Sequence, residues 1–301
     1  MPRWMRWSLL ALLSWGVWAI MAKLIGEALS GPHNQALSTF GVLPVLLALG
    51  VAKNSSTRDN WRQGIPCALV AGALACAGNV VYYGVLSRGG KAAMIVPLTA
   101  LYPLVTILLA MLLLKERLNR IQTAGLLLSL IAIYLFNVQR EEGFLSKSLV
   151  YALAPIVLWG VSGFLQKVST NHISGELSTL WFLTAFIPVA VVILAREPLP
   201  AQIAPTVWLL AIAQGFFLAL GNFAILAAFA NQGKAAIITP LTALYPLVSV
   251  PVAIFFLGER ISAREGSGIF LALVSVAALC CETQPRQPAR TSPAAKTDTI
   301  A

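Results

Sequence analysis

Apolar residues in this chain come in long runs, and polar residues collect in short breaks between them. A helix needs about 20 mostly apolar residues to cross a bilayer. By that rule the pattern predicts ten membrane-spanning helices, at residues 7–25, 35–52, 63–86, 91–114, 119–138, 147–167, 176–195, 206–229, 233–257 and 263–281. The breaks carry loop chemistry: Ser30-Gly31-Pro32-His33-Asn34, the stretch from Lys53 to Asn60, Arg88-Gly89-Gly90, Arg140-Glu141-Glu142-Gly143 and Arg196-Glu197-Pro198. Residues 282–301 are rich in Pro, Thr, Ala and Lys with no apolar run, the composition of a disordered tail. The expected fold is all-α and integral to a membrane.

A fifteen-residue segment occurs twice. Residues 91–105 return as 234–248, identical at 13 of 15 positions and offset by 143. Trp15-Gly16 and Lys23 match Trp159-Gly160 and Lys167 at an offset of 144. The chain therefore divides into two homologous units, 5–138 and 147–281, each with five spans, and a cytoplasmic tail at 282–301. Because five is odd, the second unit must enter the membrane upside down relative to the first. The expected plan is an inverted-topology repeat with its pseudo-two-fold axis in the membrane plane. The N-terminal apolar run follows Arg3 and Arg6 and imitates a signal peptide. Its counterpart at 157–168 argues instead that it belongs to the mature fold.

Composition agrees with the pattern. Of 301 residues, 58% are hydrophobic and 11% charged, where a soluble domain carries about 25% charged residues. No soluble fold of this length covers so much apolar surface. The formal charge is +10, but its lysines and arginines are scattered among loops, so it is no nucleic-acid face and none is expected as a partner. With the N-terminus inside, 13 of the 21 Lys and Arg residues fall on the cytoplasmic side and 8 on the other. That bias predicts both termini in the cytoplasm. Cys67, Cys76, Cys280 and Cys281 lie in apolar runs without metal spacing and read as small packing residues.

The repeated segment contains residues that a helix facing only lipid does not need. Pro97 and Pro103, with Pro240 and Pro246, lie inside expected spans. Each lacks an N–H and frees the carbonyl four residues earlier, that of Thr99 for Pro103 and of Thr242 for Pro246. Freed carbonyls in hydrocarbon need protein or cavity water, which points to helices bent around a central polar cavity. Lys91 and Lys234 each follow a glycine at the start of a span. They either snorkel to headgroups or line the path, where they would attract a carboxylate or phosphate. Asn79 and Asn222 match at the same offset, and each amide bonds another helix or a substrate. Tyr102 and Tyr245 pose the same alternative through their hydroxyls. Trp15 and Trp159 sit too deep for an interfacial belt and are cavity walls or packing residues. Gln166 and Gln214 have no partner in the other unit, so they are candidates for asymmetric recognition. The stripes Ala68-x3-Gly72-x3-Cys76 and Ala211-x3-Gly215-x3-Ala219 permit close helix approach. Glu116-Arg117 and Glu259-Arg260 suggest a shared capping or turn role near the starts of the fifth and tenth spans.

No Asp or Glu falls mid-span, and Glu27 and Glu176 lie near span ends, so a proton relay through an intramembrane carboxylate is not expected. There is no Walker motif, nucleophile elbow or His cluster. No enzyme activity, cofactor or metal is expected.

The chain resembles the drug/metabolite transporter superfamily, of the EamA type. The resemblance covers nearly all of 5–281. It rests on the ten-span inverted plan, the Trp-Gly near the start of each half, and the repeated Pro-Leu-Thr-Ala-Leu-Tyr-Pro followed by Lys115-Glu116-Arg117-Leu118 or Gly258-Glu259-Arg260-Ile261. It implies a permease of the plasma (inner) membrane, monomeric or homodimeric. The implied cavity is lined mainly by spans 1, 3, 4, 6, 8 and 9, with alternating access. Lys91, Asn79, Thr99, Tyr102, Lys234, Asn222, Thr242 and Tyr245 are the substrate-contact candidates it suggests. The expected substrate is a small polar metabolite, zwitterionic or anionic: an amino acid, a nucleoside or an organic anion. An exporter of lipophilic drug-like compounds and a non-transporting membrane scaffold are the alternatives.

Overall fold

The computed structural model describes residues 2–51, 60–113, 119–137, 147–231, 235–279 and 281. Among these residues the regular structure is all helical, with no strand. The helices are α1 (Arg3–Ile25), α2 (Gly31–Val51), α3 (Trp61–Ser87), α4 (Ala92–Thr99), α5 (Pro103–Leu113), α6 (Arg120–Asn137) and α7 (Lys147–His172). They continue as α8 (Gly175–Thr184), α9 (Phe186–Arg196), α10 (Pro205–Ala230), α11 (Ala235–Thr242), α12 (Pro246–Phe255) and α13 (Ala263–Leu279). Seven stretches are long and apolar enough to cross a membrane: α1, α2, α3, α4 with α5, α8 with α9, α10, and Ile238–Phe255 of α11 and α12. The expected spans at 119–138, 147–167 and 263–281 coincide with α6, α7 and α13, which do not meet that measure among the described residues. The expected tail at 282–301 lies outside the described residues.

Three expected spans are each split in two. Pro103 and Pro246 open the second piece of their pairs. Each lacks an N–H and its ring displaces the carbonyl four residues back. Those carbonyls are nevertheless taken up. The Tyr102 N–H donates to the Thr99 carbonyl at 3.1 Å, and the Tyr245 N–H to the Thr242 carbonyl at 3.3 Å. These are the shorter bonds of a 3₁₀ turn, made within the protein, as a site without bulk water requires. The two prolines thus interrupt their helices rather than merely bend them, while Pro97 and Pro240 remain inside α4 and α11. The third break, at Ala185 between α8 and α9, precedes Pro188 by three residues. Pro44, at the corresponding place in α2, leaves its helix continuous.

The long helices pack across the two units rather than within them. Helix α1 lies along α10, α3 along α7, and α6 along α13. Apolar side chains gain little by leaving lipid for one another, so such pairs depend on close fit and on hydrogen bonds. Small residues provide close fit across the units, here between α10 and α2 and between α3 and α8. A Cβ on Gly215 would stand 1.7 Å from the Ser38 carbonyl oxygen, and one on Gly72 would stand 2.1 Å from that of Phe182. The α6–α13 pair is tied by Ser129 and Ser275, whose buried hydroxyls lie 2.6 Å apart beside the Gly125 carbonyl.

Candidate functional site

A cavity lies where α1, α3, α7 and α10 meet the two proline turns. Its lining comprises Trp15 and Trp18 of α1, Ala75 and Asn79 of α3, and Trp159, Ser162, Gly163 and Gln166 of α7. Leu218, Asn222 and Ile225 of α10 and the turn residues Tyr102 and Tyr245 complete it. The helical residues recur every three or four positions, which puts each set on one helix face. About 60 Å³ of the cavity is open to the centre of a water molecule, room for about four to six waters.

Two glycines make the tryptophan walls possible. A Cβ on Gly221 would stand 2.4 Å from Trp15 Cδ1 and Nε1, and one on Gly78 would stand 2.4 Å from Trp159 Nε1. Each indole therefore lies directly against the backbone of a helix from the other unit. The rings then touch in sequence. Trp15 meets Tyr245 edge to face at 6.4 Å, and Tyr245 meets Trp18 at 6.3 Å. Trp18 stacks on Tyr82 at 5.0 Å and meets Trp159 at 5.8 Å, and Trp159 meets Tyr102 at 6.4 Å. Trp18 is further fixed by its N–H, which donates to the Tyr83 hydroxyl at 2.7 Å.

The polar groups of the wall are unevenly satisfied. Trp159 donates to the Ala75 carbonyl at 3.3 Å, whereas the N–H of Trp15 is buried without a partner. Asn222 spends its amide N–H on the Leu218 carbonyl at 2.8 Å, whereas the amide nitrogen of Asn79 is buried without one. The hydroxyls of Tyr102 and Tyr245 are also unpartnered. Each lies near the threonine of the opposite unit, Tyr102 near Thr242 and Tyr245 near Thr99, outside hydrogen-bonding geometry. Ser162 is anchored to the Ala71 carbonyl at 2.8 Å.

Six of the candidates matched between the units meet at this cavity: Trp15, Trp159, Asn79, Asn222, Tyr102 and Tyr245. Thr99 and Thr242 do not line it. Their hydroxyls donate back to Ile95 at 2.8 Å and to Ile238 at 3.0 Å, within their own helices. Lys91 caps the start of α4, is 44% exposed, and pairs with Glu265 at 2.9 Å rather than facing the cavity. Lys234 and the Lys115–Leu118 motif lie outside the described residues. Gln166 lines the cavity; Gln214 is buried beside it but does not.

Trp18, Ser162, Leu218 and Ile225 escaped the sequence reading, which weighed residues that match between units. Trp18 and Ser162 are themselves repeat partners that differ in type. Their signal is helical spacing from the matched pair, since each lies three residues after Trp15 or Trp159.

Among the described residues that line it there is no Asp, Glu, Lys or Arg. Charge gathers instead at one end of the molecule. Glu259, 9% exposed, accepts from the N–H groups of Ala92 and Ala93 at 2.9 and 2.8 Å. A carboxylate there satisfies two unpaired donors at the positive end of α4. It also pairs with Lys23 at 3.1 Å, and Lys23 donates to the Gly90 carbonyl at 2.9 Å. Glu259 thus caps a helix of the other unit, not the start of the tenth span. That start, α13, is capped by Ser262 and Glu265, whose side chains each bond the other's backbone N–H.

The fold and cavity define a helical membrane protein of transporter type. The chain matches the EamA-like transporter family twice, over residues 2–138 and 146–281, and it belongs to that family within the drug/metabolite transporter superfamily. It is a multi-pass membrane protein. It is 30% identical over 133 residues to an uncharacterized protein of Methanocaldococcus jannaschii. That alignment covers 93% of the archaeal protein and 44% of this chain, so the relative is about the size of one repeat. A crystal structure superposes with a TM-score of 0.65 at 18% identity, covering 91% of this chain and 96% of the other. At that identity the likeness concerns the fold.

Proposed function

We propose that this chain is a secondary transporter, not an enzyme, and that it carries a small polar solute across the plasma membrane by alternating access. In this reading it has ten spans in two five-span repeats of opposite orientation, with both termini in the cytoplasm. The observation that carries the reading is the cavity itself. Matched residues of both repeats form it, and it abuts two helices that are interrupted at the same repeated proline. Broken helices at a repeat interface are a recurrent substrate site in transporters built from repeats. The contacts around it also match when the units are exchanged. Trp15 rests on Gly221 as Trp159 rests on Gly78, and Val248 meets Gly16 as Val105 meets Gly160.

With cytoplasmic termini, Lys23, Lys91, Glu259 and Glu265 all fall at the external end. Their cross-unit ties then close that end, and breaking them is the opening step. Lys91 is engaged there, so it lends no support to an anionic substrate.

The test needs no known substrate. In a cysteine-free background, Ser162→Cys would be challenged with a membrane-impermeant maleimide in right-side-out and inverted vesicles. Alternating access predicts slow labelling from both sides. It also predicts that a bifunctional thiol cross-linker joining Lys23→Cys to Glu259→Cys, with a spacer as long as the ion pair it replaces, abolishes labelling from outside only. Labelling from neither side would turn the reading to a scaffold.

A further inference from the structure

We infer that the cavity takes an uncharged, planar, single-ring heterocycle bearing carbonyl acceptors, the chemistry of a pyrimidine base. The inference rests on the transport reading and names the ligand class of its site.

Three features of the wall set that class. Charge is the first. Among the described residues the lining holds no acid or base, and an ion moved into such a site loses its hydration without a counter-charge. This weighs against anions and zwitterions, the classes suggested by the sequence, and against cations alike.

Shape is the second feature. The wall is mainly apolar, and it includes the rings of Trp15, Trp18, Trp159, Tyr102 and Tyr245. Rings bind rings by offset or edge-to-face contact. The open volume holds about four to six waters. A one-ring base displaces about four waters at their liquid volume.

Polarity is the third. Four groups able to donate are buried at this wall without a partner: Trp15 Nε1, Asn79 Nδ2 and the Tyr102 and Tyr245 hydroxyls. Asn79, Tyr102 and Tyr245 are each at least nine-tenths buried. An aromatic cage for a quaternary ammonium presents ring faces and acceptors. Here one face of Trp18 is already covered by Tyr82, and the unspent N–H groups of Trp15 and Asn79 oppose a cation. They suit the carbonyl oxygens of a neutral ring.

The decisive comparison is uracil against orotate, the same ring with a carboxylate, and against uridine and tetraethylammonium. Binding to purified protein would be followed by tryptophan fluorescence and thermal stabilisation, and flux by proteoliposome uptake. We expect uracil to quench fluorescence and raise the melting temperature more than uridine does, and orotate and tetraethylammonium to do neither. Tyr102→Phe keeps the ring and removes one donor, and Trp15→Leu removes a ring. Each should weaken uracil about tenfold while the protein remains monodisperse. Tighter binding of orotate or tetraethylammonium than of uracil overturns the ligand class, and leaves the transport reading standing if that ligand is carried. Uracil binding lost in the variants, but without flux, supports the ligand class and defeats transport. No response to uracil by any method overturns the inference.

Discussion

Removing the carboxylate of Glu259 should open one end of the molecule without unfolding either repeat. Glu259 makes two charge-assisted bonds to the α4 N-terminus and one ion pair with Lys23, and all three partners belong to the other repeat. A hydrogen bond to a charged group contributes about 1.5–3 kcal/mol. The Lys23 pair is discounted because that lysine is 22% exposed. Glu259→Ala therefore should cost about 3–5 kcal/mol of inter-repeat contact. Glu259→Gln keeps one acceptor oxygen and should cost about half as much. At 1.4 kcal/mol per factor of ten, the glutamine variant shifts the local opening equilibrium about tenfold or more. Hydrogen–deuterium exchange on the peptide spanning residues 91–99 reads this directly, since Ala92 and Ala93 lose their acceptor. Exchange there should quicken at least tenfold, while the peptide covering Gly125 and Ser129 is unchanged. Unaltered exchange at Ala92 and Ala93 would refute the tie.

Other substitutions test other contacts. Lys91→Ala breaks an exposed pair and should change stability by less than about 1 kcal/mol, which a thermal melt would show as little shift. Gly215→Val should lower the melting temperature clearly, because even a Cβ there would stand 1.7 Å from the Ser38 carbonyl oxygen and backbone must move. A double-mutant cycle on Ser129→Ala and Ser275→Ala should return a coupling of about 0.6 kcal/mol, the usual size for buried polar pairs between membrane helices; zero coupling would deny the 2.6 Å contact. Gly221→Ala should displace the Trp15 ring and shift the tryptophan emission, where Gly50→Ala, with open space around its Cβ, should not.

Much of this protein is legible from its sequence. The helical segments follow from runs of apolar residues, because a chain in lipid must satisfy its backbone within each helix. The duplication follows from 13 identical positions in 15, and it nominated six of the cavity residues before any contact was known. The helix breaks at Pro103 and Pro246 were foreseeable as disturbances, since proline removes the same bond wherever it stands. What the sequence left undecided is which faces meet. In lipid both sides of a helix are apolar, so the pattern of hydrophobicity does not distinguish the face that packs from the face that meets acyl chains. Trp18 and Ser162 therefore emerged only with α1 and α7 in place. The capping role of Glu259 required α4 of the other repeat, 167 residues away in the chain. Lys91, free in the sequence to serve lipid or substrate, is engaged by Glu265 across 174 residues. Local chemistry determined the helices, their breaks and the repeat. Long-range packing, through glycines that allow backbones and indoles to touch, decided which side chains share a cavity and which charges hold its end closed.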